Sequence, residues 1–185
     1  MTKIEENGWQ EVSSTDVVLN TPVFDIEKTR MKCLRTGKEV DFYTFTCIDW
    51  VNVIAETSDN KLVMIKQYRA GTKKIELEIP GGGIEAHETD PIAAGARELL
   101  EETGYAGKNG RVIGKVCPNP ALQGNTCYTI YFTETERISE PAMEGTEDIE
   151  TFLVPFDEIH YKIVNGEITH GLVLNALHFI EKVKL

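Results

Sequence analysis

Nowhere in its 185 residues does the chain hold a run of the roughly 20 apolar residues that a membrane-crossing helix needs, so no membrane partner is expected. The opening MTKIEENGWQ lacks the basic-then-apolar pattern of a secretory leader, which makes the cytoplasm the expected location. Cysteine is scarce. Cys33, Cys47, Cys117 and Cys127 show no close pairing, which argues against a disulfide framework or a zinc site and for reduced thiols. Positive charge is also short: 19 Lys and Arg stand against 30 Asp and Glu, a formal net charge of -11 that repels nucleic-acid phosphates and anionic lipid. No nucleic-acid partner is expected. Two phosphate-binding loops are missing as well, because no Gly-Lys-Ser/Thr follows the glycines at 81 to 83 and a G-x-G-x-x-G arrangement would lack its third glycine.

What is present is an ordinary globular composition, 41% hydrophobic and 26% charged. This length buries one substantial core with at most a small appended subdomain, placed here at 1–48, with the main domain at 49–185. Strands are expected over Asp16–Leu19, Pro22–Leu34 and Glu39–Ile48, the last two joined by the turn Arg35-Thr36-Gly37-Lys38. A second hairpin, in the main sheet, is expected from Trp50–Glu56 and Lys61–Tyr68 around Ser58-Asp59-Asn60. Lys74–Ile79 reads as a strand running into a glycine loop of unusual backbone freedom. A helix follows, with Asp90 as cap, Pro91 in the first turn, Ile92, Ala96, Leu99 and Thr103 at helical spacing, a close contact at Gly95, and Gly104 at its end. Further strands fall at Arg111–Val116, Thr126–Phe132 and Glu150–Val154, one long loop at Thr133–Asp148, and a closing helix at Ile168–Val183.

Within RELLEETG, residues 97 to 104, Glu98 and Glu102 are four apart on the helix, and Glu101 is three beyond Glu98. Like charges so placed destabilise a bare helix by roughly 0.2–0.5 kcal/mol a pair, so three together call for a cation. Arg97 supplies part of the compensation. Magnesium or manganese suits the rest, because hard cations take carboxylate and carbonyl oxygens and leave positions open for water and phosphate. The glycines at 81 to 83 make a backbone carbonyl accessible as a further ligand.

The stretch Gly82 to Tyr105, GGIEAHETDPIAAGARELLEETGY, resembles the box of the Nudix hydrolases, G-x5-E-x7-R-E-U-x-E-E-x-G-U with U a bulky aliphatic residue. Gly82 and Glu88 keep the first spacing, and Arg97, Glu98, Leu99, Glu101, Glu102 and Gly104 fill the second half. There are two departures: one extra residue lies between Glu88 and Arg97, and Tyr105 holds the last aliphatic position. A frame starting at Gly83 would put Thr89 in place of Glu88.

The resemblance implies an α/β (α+β) fold, an α/β/α sandwich with a mixed sheet, here with a small N-terminal antiparallel subdomain. It implies magnesium held by Glu98 and Glu102 with Glu101 assisting and the Gly81 carbonyl as backbone ligand, and a nucleoside diphosphate sugar as substrate. Gln67-Tyr68-Arg69, Glu76-x-Glu78-Ile79-Pro80, Asn119-Pro120-Ala121 and Gly166-Glu167-Ile168-Thr169-His170 are similar to the ADP-ribose and nucleotide-sugar branch. That branch implies a homodimer closed through the N-terminal strands and a general base on a loop, for which Glu147 is the first candidate and Glu144 the second. Glu101 and Arg97 join these as candidate catalytic residues.

Arg69 and Glu78 are candidate substrate contacts, with a structural ion pair from Arg69 to Glu76 or Glu78 as the alternative. Trp50, Phe24, Phe42 and Tyr43 either stack on a base or, as strand aromatics more commonly do, join the core. ADP-ribose is the first expected substrate and GDP-mannose or another nucleotide sugar the second. A non-catalytic nucleotide-binding module and a structural protein with a merely solvated acidic helix are the competing classes.

Overall fold

The computed structural model describes residues 3–4, 8–143, 145 and 148–184. The chain divides into two compact units, 1–48 with 117–125, and 49–116 with 126–185.

The first unit is an antiparallel sheet of five strands, β1 (Lys3–Ile4), β2 (Trp9–Glu11), β3 (Asp16–Asn20), β4 (Asp25–Cys33) and β5 (Glu39–Thr46). The hairpin expected of β4 and β5 is present, with Lys32 opposite Glu39 and Asp25 opposite Thr46. Its turn works because Gly37 takes φ 70°, a conformation that costs other residues steric strain, while the Cys33 amide closes the loop on the Lys38 carbonyl (2.8 Å). β2 and β3 pair in turn with the other edge of β4. The Asn119-Pro120-Ala121 segment belongs to this unit, where the Phe45 amide donates to the Leu122 carbonyl (2.7 Å).

The second unit holds two sheets. One runs in the order β10 (Tyr105–Val116), β11 (Cys127–Arg137), β6 (Trp50–Ala55), β9 (Gly81–Gly83), and β11 lies parallel to β6 while the other pairs are antiparallel. The other is antiparallel: β12 (Ile149–Pro155), β7 (Lys61–Arg69), β8 (Lys74–Glu78). Side-chain alternation along β6 divides its apolar residues between two cores. Val51, Val53 and Ala55 join Val63, Ile130 and the Ala94 and Leu99 side chains of α1 (Pro91–Thr103). Ile54 turns the other way, toward Met64, Ile159 of α2 (Phe156–Val164), and Val173 and Leu177 of α3 (Gly171–Lys184). Helix α1 therefore covers one side of the strands and α2 and α3 the other, the α/β/α sandwich with a mixed sheet.

Helix α1 begins and ends where the local signals put it. The Asp90 side chain accepts from the Ile92 amide (2.9 Å), Pro91 opens the first turn, and Gly104 closes the helix at φ 73°. A methyl group at Gly95 would come 3.0 Å from Ile130, the close contact expected there. Its buried face differs by a step: Ala94 and Gly95 are covered while Ala96 is exposed.

Other expectations are corrected. β6 and β7 are not a hairpin in one sheet; they meet only at a bridge between Glu56 and Leu62 and then enter different sheets. Both strands are apolar on both faces, so each finds covering partners elsewhere. β11 continues to Arg137, which shortens the expected loop at Thr133–Asp148. Helix α2 was not expected, and Gly81–Gly83 form the short strand β9 rather than a loop. No described helix is long and apolar enough to cross a membrane.

Candidate active site

Strand β9 brings the three glycines between β6 and α1, with Gly81, Gly82 and Gly83 opposite Asn52, Val51 and Trp50. None of the three is among the glycines with positive φ, so their use is room rather than left-handed backbone. A methyl group at 81 would overlap the Val51 carbonyl, and one at 82 would overlap the Glu98 carboxylate. The absence of side chains is what lets α1 set its acids against this backbone. Glu102, 4% exposed, accepts the Gly81 amide on Oε2 at 2.9 Å.

Arg97 organises the rest. Its Nε and Nη2 reach the two oxygens of Glu88 (2.9 and 3.0 Å), Nη2 also reaches the Gly83 carbonyl (2.9 Å), and Nη1 donates to Glu98 (3.0 Å) and Glu101 (2.9 Å). All five guanidinium N–H groups are thereby used within the protein, which makes Arg97 an organiser of the carboxylates. Hydrogen bonding to Glu88 raises Arg97 above its ordinary value against the pull of burial, with Glu101 and Glu98 adding to it. In return Arg97 holds Glu88 down to about 2. The box frame starting at Gly82 is thus the one in which the acid meets its arginine. Ahead of α1 the Glu88 amide turns back to the Glu85 carbonyl and the Glu85 amide donates to Glu88 Oε2, both at 2.9 Å, which sets the Glu88 carboxylate toward Arg97.

Among the described residues no three histidine, cysteine, aspartate or glutamate side chains are arranged to hold an ion by themselves. Magnesium seldom needs that, taking one or two protein carboxylates and completing its shell with water and substrate phosphate. The donor set fits such a cation: hard carboxylate oxygens on α1 lie against a glycine backbone that no side chain shields.

Beside β9 opens a cavity of about 630 Å³, lined among others by Trp50, Asn52, Arg69, Glu76, Glu78 and His170. Trp50 is half-buried and faces it, whereas Phe42 and Tyr43 are exposed on the first unit and belong to no core. Arg69 grips Glu78 with Nε and Nη2, both at 2.7 Å, the ion pair that stood as its alternative assignment. Burial would push Glu78 up, but the Arg69 and His170 hydrogen bonds more than reverse this and hold it down to about 2. In the sequence Thr169 and His170 stand out only within the branch-like segment Gly166-Glu167-Ile168-Thr169-His170, and no spacing rule joins them to a strand some ninety residues earlier. Glu144 and Glu147 lie outside the described residues.

The family model described as NUDIX domain matches residues 49–174. A methanol dehydrogenase activator of Bacillus methanolicus is 53% identical over 55 residues, 30% of this chain, and the chain spans only 29% of that protein's length. An ADP-ribose pyrophosphatase of Bacillus subtilis is 27% identical over 71% of both chains. Among solved structures, an ADP compounds hydrolase superposes with a TM-score of 0.81 at 18% identity, covering 91% of this chain and 90% of its own. That last likeness concerns the fold.

Proposed function

The chain belongs to the Nudix family, and from that premise we propose that it is a magnesium-dependent hydrolase, with manganese as the second candidate ion, of nucleoside diphosphate sugars. The observation that carries the reading is the gathering of Glu88, Glu98, Glu101 and Glu102 by Arg97 and the β9 backbone, whose glycines Gly81, Gly82 and Gly83 in turn line a cavity large enough for a nucleotide. Glu98, Glu102 and the Gly81 carbonyl would hold the cation, with Glu101 assisting. A bound cation there would neutralise the diphosphate and lower the pKa of a coordinated water.

The chain's own residues do the rest. Arg69 offers the cavity the N–H groups that Glu78 does not take, as a contact for substrate phosphate. Trp50 supplies a face for stacking. The proton of the attacking water goes to a carboxylate of the 144–148 segment, Glu147 first and Glu144 second, as water attacks one phosphorus in line. The products are a nucleoside monophosphate and a sugar phosphate. ADP-ribose is the first substrate, in keeping with the name of the Bacillus subtilis relative, and GDP-mannose the second.

Incubation with a panel of nucleotide sugars in magnesium and oxygen-18 water is expected to give magnesium-dependent cleavage, fastest for ADP-ribose, with the label in one phosphate product. The 53% identity over 55 residues to an activator protein favours a second reading, a regulatory module. Tight nucleotide binding without any magnesium-stimulated product would decide for it.

We infer further that the protein is a homodimer. The first unit leaves Val17, Leu19, Val40, Phe42 and Tyr43 exposed on its strands, an apolar display that a second copy would cover. Sedimentation equilibrium is expected to return twice the 20.7 kDa chain mass; a monomer at micromolar concentration excludes it.

A further inference from the structure

Three hydrogen bonds stitch the first turn of α3 and the two residues before it to the strands around the cavity. Asn52 Nδ2 donates to the Leu172 carbonyl (3.1 Å), the Thr169 hydroxyl donates to Glu76 Oε2 (2.9 Å), and His170 Nδ1 stands 3.1 Å from Glu78 Oε2. Glu76 and Glu78 are two apart on β8 and so present one face to this segment. Glu78 is only 2% exposed, so protein partners rather than water set the plane of its carboxylate. Oε1 takes Arg69 Nε, while Oε2 takes both Arg69 Nη2 and His170. The Arg69 side chain, 41% exposed, lines the cavity, and its three N–H groups other than the two on Glu78 lie off the paired edge.

We propose that His170 is a positioning residue: with its proton on Nδ1 it donates to Glu78, fixes the carboxylate plane, and through it aims the remaining donors of Arg69 at an anionic group in the cavity. A carboxylate gripped by one planar fork alone can rock about its own side-chain torsions together with the arginine. A second donor, carried by a different element and sharing one oxygen, removes that freedom before substrate arrives. The inference rests on the reading of Arg69 as the phosphate contact.

The test has two arms. In the first, the Arg69 Nε–H resonance is followed by ¹H–¹⁵N spectroscopy without substrate. It is expected to exchange slowly with solvent in the wild type, faster in His170→Ala, and slowly again in His170→Asn, whose amide nitrogen can take the place of Nδ1. In the second, His170→Ala is expected to raise KM for ADP-ribose about tenfold with kcat within about twofold, the scale of one hydrogen bond to a charged group. His170→Asn restores most of it, and the substitution adds nothing on an Arg69→Ala background. An unchanged Nε–H exchange rate in His170→Ala, or a KM effect additive with Arg69→Ala, overturns the proposal. If the wild type cleaves no nucleotide sugar, the proposed function falls while the Nε–H arm still decides the role of His170.

Discussion

In magnesium, Glu98→Gln protein is expected to cleave ADP-ribose roughly 10²–10³-fold more slowly than wild type, the scale on which one preorganised electrostatic contact counts in a transition state. Its fold should hardly suffer. The amide keeps an oxygen that can accept from Arg97 Nη1, now 3.0 Å from the carboxylate, and removing the charge relieves repulsion with Glu101 and Glu102, about 0.2–0.5 kcal/mol a pair. On the proposed cation-based reading, what the variant loses is a hard anionic ligand. The melting temperature of the wild type is therefore expected to rise with magnesium and that of the variant to stay flat. Glu102→Gln should behave alike, since its amide oxygen can still accept the Gly81 N–H that the carboxylate takes at 2.9 Å. Turnover equal to wild type in both variants would reject the cation-based reading, and loss of the fold along with activity would make these acids structural.

This site was legible where its chemistry is local. The i, i+3 and i, i+4 spacing of Glu98, Glu101 and Glu102 is set by helix geometry alone, and Asp90, Pro91 and Gly104 marked the ends of that helix for the same reason. Gly37 likewise marked the β4–β5 turn. The triple glycine was visible as a feature but not in its use, because sequence does not tell a residue that needs positive φ from one that must let a neighbour approach. Only the carboxylate of Glu98 and the carbonyl of Val51 decide that.

Elsewhere the partners lie too far apart in the chain to be read. β6 and β7 are apolar on both faces, a pattern that says buried without saying by what, and β6 pairs with β11, whose Cys127 is opposite Trp50. Helix α2 sets Phe156, Ile159 and Ile163 against the core at helical spacing, and Pro155 with Asp157 and Glu158 marks its start, so its signals are present in the sequence although the helix is only nine residues long. For Arg69 the ion pair and the phosphate contact stood open together, and the structure shows why: one edge of the guanidinium is on Glu78 while the side chain lines the cavity.

Arg97→Met should be the most damaging single change to the folded state. Arg97 is 23% exposed and its chief partners Glu88 and Glu98 are 10% and 13% exposed, so their mutual screening by water is weak. Removing it takes the shared guanidinium from Glu88, Glu98 and Glu101 and from the Gly83 carbonyl at once, at about 3 kcal/mol by the low end of the cost for breaking a buried charge network. For a chain of this size that is a fall of roughly 6–12 °C in melting temperature. Arg97→Lys should recover only part, since an ammonium has three donors in no fixed plane for five acceptors. The loss has a pH signature. Arg97 lowers Glu88 from an ordinary 4.5 to about 2 in the folded state, a contribution present above 4.5 and lost as pH falls toward 2. The gap in melting temperature between wild type and Arg97→Met should therefore be widest near neutrality and narrow on acidification through that window. A gap that stays constant, or a variant that melts with wild type and keeps full turnover, would show that the acids of α1 arrange themselves without Arg97.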